Sequence, residues 1–263
     1  MRIVRFKANN HWCYGVLDSD TIRVLKNEST PFESLEVTDE ELPLSRARLI
    51  APVDPPNVIA LGLNYRRHAE ESGMKIPTHP QMFIKATTSV IGPGDPIVIP
   101  EMAPDEVDYE AELCIVMGKA AKDVHECEAL DYVLGYTCGN DISARDCQLK
   151  LDAQWARGKS FDTFCPLGPW IETDLDPDNC AIASRVNGET MQSSNTSDMI
   201  FGCRTLISFL SRVMTLLPGT IIMTGTPEGV GFARKPPVFL QPGDVVEVEI
   251  GGIGVLRNDA VGA

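Results

Sequence analysis

Two glutamates separated by one alanine have a spacing that suggests chemistry. Glu110 and Glu112 stand at the start of an apolar run, and a β-strand would place both side chains on the same face. Two neighbouring carboxylates repel each other unless a cation lies between them. The pattern therefore indicates a metal site, with a solvated strand face as the alternative interpretation.

A second polar segment, residues 139–148, follows another apolar run and reads Gly-Asn-Asp-Ile-Ser-Ala-Arg-Asp-Cys-Gln. Polar residues concentrated where a strand ends are typical of functional sites, because binding residues are commonly carried by the loops that a rigid scaffold positions. A ligand set made of oxygen atoms alone favours Mg²⁺ or Mn²⁺ over zinc.

His68 and Glu71 form a third candidate group. On a helix, residues three apart share a face, and a carboxylate beside an imidazole fixes its tautomer and raises its basicity. Such a pair can take a proton from water. A structural or surface histidine is the plainer interpretation.

Several motifs, taken in order along the chain, resemble the fumarylacetoacetate hydrolase family. The Glu110-x-Glu112 pair is followed by N-D-x-S-A-R-D-x-Q at 140–148, G-K-S-F-D at 158–162, C-P-L-G-P-W at 165–170 and T-G-T-P-E-G-V-G at 224–231. The resemblance extends from about Pro56 to the end of the chain. The first 50 residues resemble a small extension that many bacterial members carry.

The resemblance implies a metal centre and the residues around it. Glu110, Glu112 and Asp141 are the expected ligands of one Mg²⁺ or Mn²⁺ ion, with Ca²⁺ as a third candidate. Lys159 is the expected active-site lysine, whose ammonium binds the carboxylate or enolate oxygen of the substrate. The expected substrate-binding residues are Arg145, Gln148 and Thr226. Apart from the resemblance, Lys85, which follows an apolar run, is a candidate for positive charge at the pocket, with a surface lysine as the alternative.

Two of these residues have structural alternatives. Arg145 can instead pair with Asp146 or with a metal-ligand carboxylate, and the G-T-P-x-G sequence around Thr226 is also typical of a tight turn. The resemblance further implies that residues 64–79 form a lid, which carries His68 and Glu71 over the substrate as a catalytic pair.

The implied reaction begins with a 2-oxo or 2,4-dioxo acid whose keto group is polarised by the metal acting as a Lewis acid. We expect hydrolysis of a C–C bond in an acylpyruvate or fumarylpyruvate, with water activated by His68 and Glu71. The alternative is isomerisation or decarboxylation of a 2-oxo dicarboxylate, such as a hydroxymuconate-type diacid or oxaloacetate, in the catabolism of aromatic compounds. A non-catalytic binding protein and a metal-free structural oligomer are less favoured, since no expected ligand, lysine or dyad residue is missing.

Strand-like segments predominate in the parts of the chain that must position these residues. One helix is predicted over residues 201–217, where apolar side chains recur at helical spacing before Pro218-Gly219. Strands and helices do not alternate regularly, which disfavours a TIM barrel or a doubly wound sheet. We expect a mainly β fold with some α, a mixed β-sandwich or roll of the fumarylacetoacetate hydrolase type.

Proline residues suggest where the chain divides. The predicted organisation is a small N-terminal β-rich domain over residues 1–50, a proline-rich linker over 51–56 and a catalytic domain over 57–263. The family resemblance implies a homodimer.

The charge of the chain excludes several kinds of partner. Lys plus Arg number 23 against 37 Asp plus Glu, giving a net charge of -14. So acidic a chain is a poor binder of nucleic acid or of anionic membranes. Eight cysteines without a C-x-x-C pair, and no visible signal peptide, predict a cytoplasmic protein with reduced thiols.

Overall fold

Strands dominate the computed structural model, which describes residues 1–8, 11–26 and 30–263. The helices are α1 (Arg66–Glu71), α2 (Ala156–Lys159) and α3 (Cys203–Val213). The strands of the first half are β1 (Arg2–Ala8), β2 (His11–Asp18), β3 (Thr21–Leu25), β4 (Val37–Pro43), β5 (Arg48–Leu49), β6 (Val58–Gly62), β7 (Gln81–Lys85), β8 (Val90–Ile91), β9 (Ile97–Ile99) and β10 (Val107–Asp108). Those of the second half are β11 (Ala111–Met117), β12 (Val133–Asn140), β13 (Ser143–Ala144), β14 (Cys165–Glu172), β15 (Ala181–Val186), β16 (Glu189–Asn195), β17 (Ile221–Met223), β18 (Val245–Ile250) and β19 (Gly254–Gly262).

Two sheets form the body of the molecule. In the described part of the chain, twelve strands form a mixed sheet with the order β4-β3-β2-β1-β14-β12-β11-β17-β6-β7, to which β5 and β8 add at β1 and β14. Five further strands form a second sheet with the order β16-β15-β18-β19-β9. The expected mainly β fold with few helices is confirmed.

The central strand β11 is buried on both faces, which explains its continuous apolar sequence. Leu113 and Ile115 pack into the core cluster that also contains residues of α3, β15 and β18, so this face joins the two sheets. Cys114 and Val116, which alternate with them, pack into a second cluster with residues of the N-terminal strands. The period of two along a strand therefore holds β11 rigidly between two cores.

The predicted C-terminal helix is shorter than its apolar pattern suggested. It begins at Cys203 and ends at Val213, because the chain then turns to pair with residues preceding the helix in sequence. Leu216 and Ala121 exchange both backbone hydrogen bonds, at 2.9 and 2.8 Å. Helical periodicity continues past Val213, but this long-range pairing competes with it and prevails.

The N-terminal strands continue the large sheet, since Arg2 and Ile3 of β1 pair with Glu172 and Ile171 of β14. The proposed division at residues 51–56 stays a prediction. Within the described ranges, no helix combines the length and the apolar character needed to cross a membrane.

Candidate metal centre and active-site cavity

Three acidic side chains meet where two neighbouring strands join. Glu110 directly precedes β11, Glu112 lies within it, and Asp141 directly follows β12. The two strands are antiparallel, with Glu112 opposite Gly139, so the start of one meets the end of the other. Carboxylate oxygens of the three residues lie within 4.8 Å of one another, and all three side chains are buried. The structure thus brings together the residues that the sequence suggested as metal ligands.

Glu112 shows why these residues fit a cation. Its Oε2 accepts a hydrogen bond from the backbone N–H of Gly225 at 2.8 Å, whereas its Oε1 is buried and has no partner among the described residues. Burial raises the pKa of Glu112 well above its ordinary value, and the charges of Asp141 and Glu110 raise it further. A divalent cation would supply the missing positive charge, and carboxylate oxygens are the ligands that Mg²⁺ and Mn²⁺ prefer.

Two buried lysines offset part of the negative charge. Lys159, the last residue of α2, donates to Glu110 Oε2 and to Asp141 Oδ2, each at 2.7 Å. Burial lowers the pKa of Lys159, but the charges of Asp141 and Glu110 outweigh this effect and keep the pKa above its ordinary value. Lys85, the last residue of β7, donates to the other oxygen of Asp141 and to the carbonyl oxygen of Ile142.

Arg145 is bound on three sides. Its Nε donates to Asp108 Oδ2 and its Nη1 to Gln148 Oε1, both at 2.8 Å, and its Nη2 lies 2.7 Å from Glu110 Oε1. Its guanidinium also lies over the ring of Phe232, 4.4 Å from the centroid. Of the two structural alternatives, the structure shows pairing with a metal-site carboxylate and not with Asp146. Arg145 remains at the cavity wall, and its role in substrate binding stays a prediction.

The electrostatic state of Glu110 follows from these partners. Burial alone would raise its pKa, but the charges of Lys159 and Arg145 lower the pKa far below its ordinary value. These partners favour the ionised form of Glu110, whereas burial and the neighbouring carboxylates raise the pKa of Glu112 and favour its neutral form. The two pKa values differ because Lys159 and Arg145 lie beside Glu110.

The predicted His68 and Glu71 pair is formed on α1. The two residues are three apart, and His68 Nδ1 lies 2.9 Å from Glu71 Oε1. His68 is buried, and its ring meets Phe232 edge to face at 6.5 Å between centroids. Because the Glu71 carboxylate can only accept, it holds the proton on Nδ1 and leaves Nε2 for proton exchange with a ligand.

The loop over residues 225–232, here called the glycine loop, connects these groups through its backbone. Its N–H groups donate from Gly225 to Glu112 at 2.8 Å, from Gly229 to Glu71 at 3.0 Å, and from Gly231 and Phe232 to Asp108 at 2.7 and 3.0 Å. Gly225 and Gly229 both have φ of +96°, which side chains other than glycine's rarely adopt. A Cβ on Gly229 would also lie 2.3 Å from the carbonyl oxygen of Met191.

A small cavity of about 60 Å³ lies over the metal centre. Its polar wall consists of His68, Ser72, Glu110, Arg145, Gln148, Lys159 and Thr226. Its apolar wall includes Leu61, Leu63, Met74, Phe83, Leu149, Trp155 and Phe232. Six of the nine predicted site residues therefore line one cavity. Of the other three, Glu71 bonds to His68 and Asp141 to Lys159, and a carboxylate oxygen of Glu112 lies within 4.8 Å of one of Glu110.

Two buried residues at the site were not found from the sequence. Asp108 binds both Arg145 and the glycine loop, and burial raises its pKa. Gln192, on β16, donates to the hydroxyl of Thr226. Asp108 stands two residues before Glu110, but a single aspartate before a strand carries no distinctive pattern. Gln192 has no motif around it at all.

We expect Lys85→Met to destabilise the metal-free protein by about 3 kcal/mol, because it removes one partner from a buried ion pair with Asp141. Urea unfolding with and without Mg²⁺ measures the effect, and added metal should restore part of the loss. The matched control is Lys150→Met, which breaks an exposed pair with Glu106 and should cost about 1 kcal/mol or less. Equal losses in the two variants would contradict the role given to Lys85.

Comparison with protein-family models finds two matches. Residues 57–261 match the model described as the C-terminal region of fumarylacetoacetate hydrolases. Residues 1–52 match a model described as Rv2993c-like, N-terminal. Together the two matched segments account for nearly the whole chain.

Named relatives and solved structures are also similar. The oxaloacetate tautomerase fahd2, mitochondrial, of Xenopus laevis is 46% identical over 237 residues, covering 88% of this chain and 74% of the relative. The crystal structure of a 5-carboxymethyl-2-hydroxymuconate delta-isomerase from Mycobacterium smegmatis has a TM-score of 0.91, with 42% identity and full coverage of both chains. A fumarylacetoacetate hydrolase from Exiguobacterium antarcticum has a TM-score of 0.90, with 39% identity and full coverage of both chains.

Proposed function

The chain belongs to the fumarylacetoacetate hydrolase family, and we propose that it is a metal-dependent tautomerase that interconverts the enol and keto forms of a 2-oxo dicarboxylate such as oxaloacetate. The observation that carries the proposal is the buried cluster of Glu110, Glu112 and Asp141 beside a cavity that Lys159 and His68 line. Such a site can bind an anionic oxo acid and move a proton within it.

Keto–enol interconversion moves a proton between the enol oxygen and the carbon next to the carbonyl carbon, while the C=C double bond of the enol becomes the C=O double bond of the ketone. The reaction needs a group that exchanges the proton and a positive charge that stabilises the oxygen when it is negative. A divalent cation held by Glu110, Glu112 and Asp141 would supply Lewis acidity toward substrate oxygens. His68, with Nδ1 bound to Glu71, exchanges the proton through Nε2.

The other residues of the polar wall bind and orient the substrate. The ammonium of Lys159 lies between Glu110 and Asp141 and can turn one hydrogen toward a substrate oxygen. Gln148 is tied to Arg145 through its Oε1, so its amide N–H groups face other acceptors. The cavity is small and largely lined by buried side chains, which limits the water around a bound substrate and strengthens these electrostatic interactions.

The names of the relatives support isomerisation at least as strongly as hydrolysis, which the sequence motifs alone had favoured. Relatives named for oxaloacetate tautomerisation and for hydroxymuconate isomerisation are over 40% identical to this chain across the aligned residues. Hydrolytic C–C cleavage of an acylpyruvate remains the second candidate. The formed pair of His68 and Glu71 favours it, since this arrangement also suits activation of water.

We expect the purified protein, loaded with Mg²⁺ or Mn²⁺, to accelerate ketonisation of enol-oxaloacetate well above the uncatalysed rate. The decay of enol absorbance measures this reaction, and chelation should abolish the acceleration reversibly. Parallel assays measure the cleavage of acetylpyruvate and fumarylpyruvate, the isomerisation of a hydroxymuconate derivative, and the release of CO₂ from oxaloacetate. Cleavage of an acylpyruvate without tautomerase activity would contradict the proposal and establish the second candidate.

We further propose a homodimer in the cytoplasm that acts in the catabolism of aromatic compounds. The family resemblance supports the dimer, and a hydroxymuconate isomerase among the structural relatives supports the metabolic setting. Light scattering of the purified protein measures the oligomeric state. A monomeric mass would contradict the proposed homodimer.

A further inference from the structure

Gln192 is a fully satisfied amide in the wall behind the active site. It lies on β16, its side chain is 1% exposed, and no residue near it in sequence belongs to a site motif. Its amide makes four hydrogen bonds, which is the full capacity of a glutamine side chain. Such complete satisfaction in a buried position fixes the amide in one orientation.

Two backbone groups determine the orientation of the Gln192 amide. The N–H of Ala111 donates to Oε1 at 2.9 Å, and the carbonyl oxygen of Pro227 accepts from Nε2 at 2.9 Å. An inverted amide would place two donors together and two acceptors together, so it is excluded. The second hydrogen of Nε2 therefore donates to Thr226 Oγ1, at 2.8 Å. The hydroxyl of Ser184 completes the set by donating to Oε1 at 2.9 Å.

The bond from Gln192 determines what Thr226 offers the cavity. A hydroxyl has one hydrogen to donate, and since Oγ1 accepts from Gln192, that hydrogen points elsewhere. No acceptor for it occurs among the residues that the structure describes. Thr226 lines the cavity, so its hydroxyl presents a hydrogen-bond donor to whatever binds there.

The same amide also ties this donor to the metal centre. Ala111, whose N–H binds Gln192, stands between Glu110 and Glu112 on β11. One rigid side chain thus connects the backbone of two proposed metal ligands with the hydroxyl of Thr226. The distance from that donor to the carboxylate cluster is fixed by the fold and does not depend on a ligand.

We propose that Gln192 is a positioning residue that holds the Thr226 hydroxyl as a donor toward a substrate carboxylate oxygen, so that the site selects a carboxylate over an amide at that point. This proposal rests on the proposed function insofar as the ligand is an anionic oxo acid. It does not depend on whether the reaction is tautomerisation or hydrolysis.

The test compares oxalate with oxamate, which replaces one carboxylate by an amide, as ligands of the Mn²⁺-loaded protein in calorimetric titrations. Gln192→Glu keeps an acceptor for Ala111 but places an acceptor beside Thr226, so the hydroxyl turns to donate to residue 192. We expect the preference for oxalate over oxamate to fall about tenfold, the effect of one hydrogen bond to a charged group. If Gln192 were merely structural, the substitution would weaken the binding of both ligands equally, and this result would overturn the proposal.

Thr226→Ala provides the matched background. If Gln192 acts through the hydroxyl, Gln192→Glu should leave the oxalate-to-oxamate ratio unchanged in Thr226→Ala protein. A drop of the same size in both backgrounds would show a direct charge effect and overturn the proposal. Gln192→Met, which removes the donor without adding charge, is measured alongside in case the glutamate variant does not fold, and it should lower the ratio less.

Failure of this proposal can be distinguished from failure of the proposed function. Wild-type protein that binds oxalate but does not ketonise oxaloacetate would contradict the tautomerase proposal, and the ligand preference could still be measured. Metal-loaded wild-type protein that does not bind oxalate at all would overturn the placement of an anion at Thr226.

Discussion

Glu112→Gln is expected to abolish tight metal binding and to lower kcat/KM for ketonisation of oxaloacetate by about a thousandfold or more, since loss of a Lewis acid costs several kcal/mol of transition-state stabilisation. Glu112 contributes the buried oxygen that has no partner among the described residues. A glutamine keeps the volume and can still accept from the N–H of Gly225, so the fold should survive. Only the anionic oxygen that faces the cluster is lost.

Elemental analysis and thermal melting, each with and without Mn²⁺, measure this effect. Wild-type protein should gain stability on adding Mn²⁺, because binding to the folded state alone raises the melting temperature. Glu112→Gln should gain almost none while remaining folded without metal. Glu106→Gln, which alters a carboxylate paired with Lys150 at the surface, should behave as wild type. Normal metal content in Glu112→Gln would remove this residue from the ligand set.

His68→Ala is expected to lower the rate of ketonisation by about a hundredfold or more, the usual contribution of a general acid or base. The structure gives the reason, since Glu71 occupies Nδ1 and leaves Nε2 as the ring nitrogen able to exchange a proton in the cavity. Metal content and melting temperature should stay close to wild type. His125→Ala, at an exposed position, is the control and should leave the rate unchanged.

Deuterium exchange at C3 of the substrate, followed by NMR, separates the two candidate reactions in the same variant. If His68 serves enolisation, exchange and ketonisation should fall together. Retained exchange combined with loss of acylpyruvate cleavage would show that the residue activates water, and would favour the hydrolase over the tautomerase. Full activity of His68→Ala in both assays would mean that the pair on α1 is structural.

The metal-centre residues could be found from the sequence because each is local to a strand end. Both the alternation of Glu110 and Glu112 and the polar run after β12 can be recognised in a single sequence, and the family resemblance links them. The side chains of the His68 and Glu71 pair are three residues apart, so helical geometry alone predicts their contact.

Contacts between residues far apart in the chain could not be predicted this way. Lys85 reaches Asp141 from a strand that precedes it by 56 residues, and Gln192 reaches Thr226 across 34 residues. Neither contact leaves a periodic or compositional trace, because pairing between distant strands decides it. The pairing between β1 and β14 is hidden for the same reason.

The glycine loop has a consequence for how this protein can change. Its bonds to Glu71, Asp108 and Glu112 are donated by four main-chain N–H groups, which no replacement of a loop side chain other than by proline removes. Glu228, within the loop, has a side chain that is 25% exposed, and among the described residues its one ion pair is a long one, 3.5 Å, with Arg67. Position 228 can therefore vary without loss of these main-chain bonds, whereas 225 and 229 must remain glycine, so that neighbouring positions of one loop differ sharply in the substitutions they tolerate.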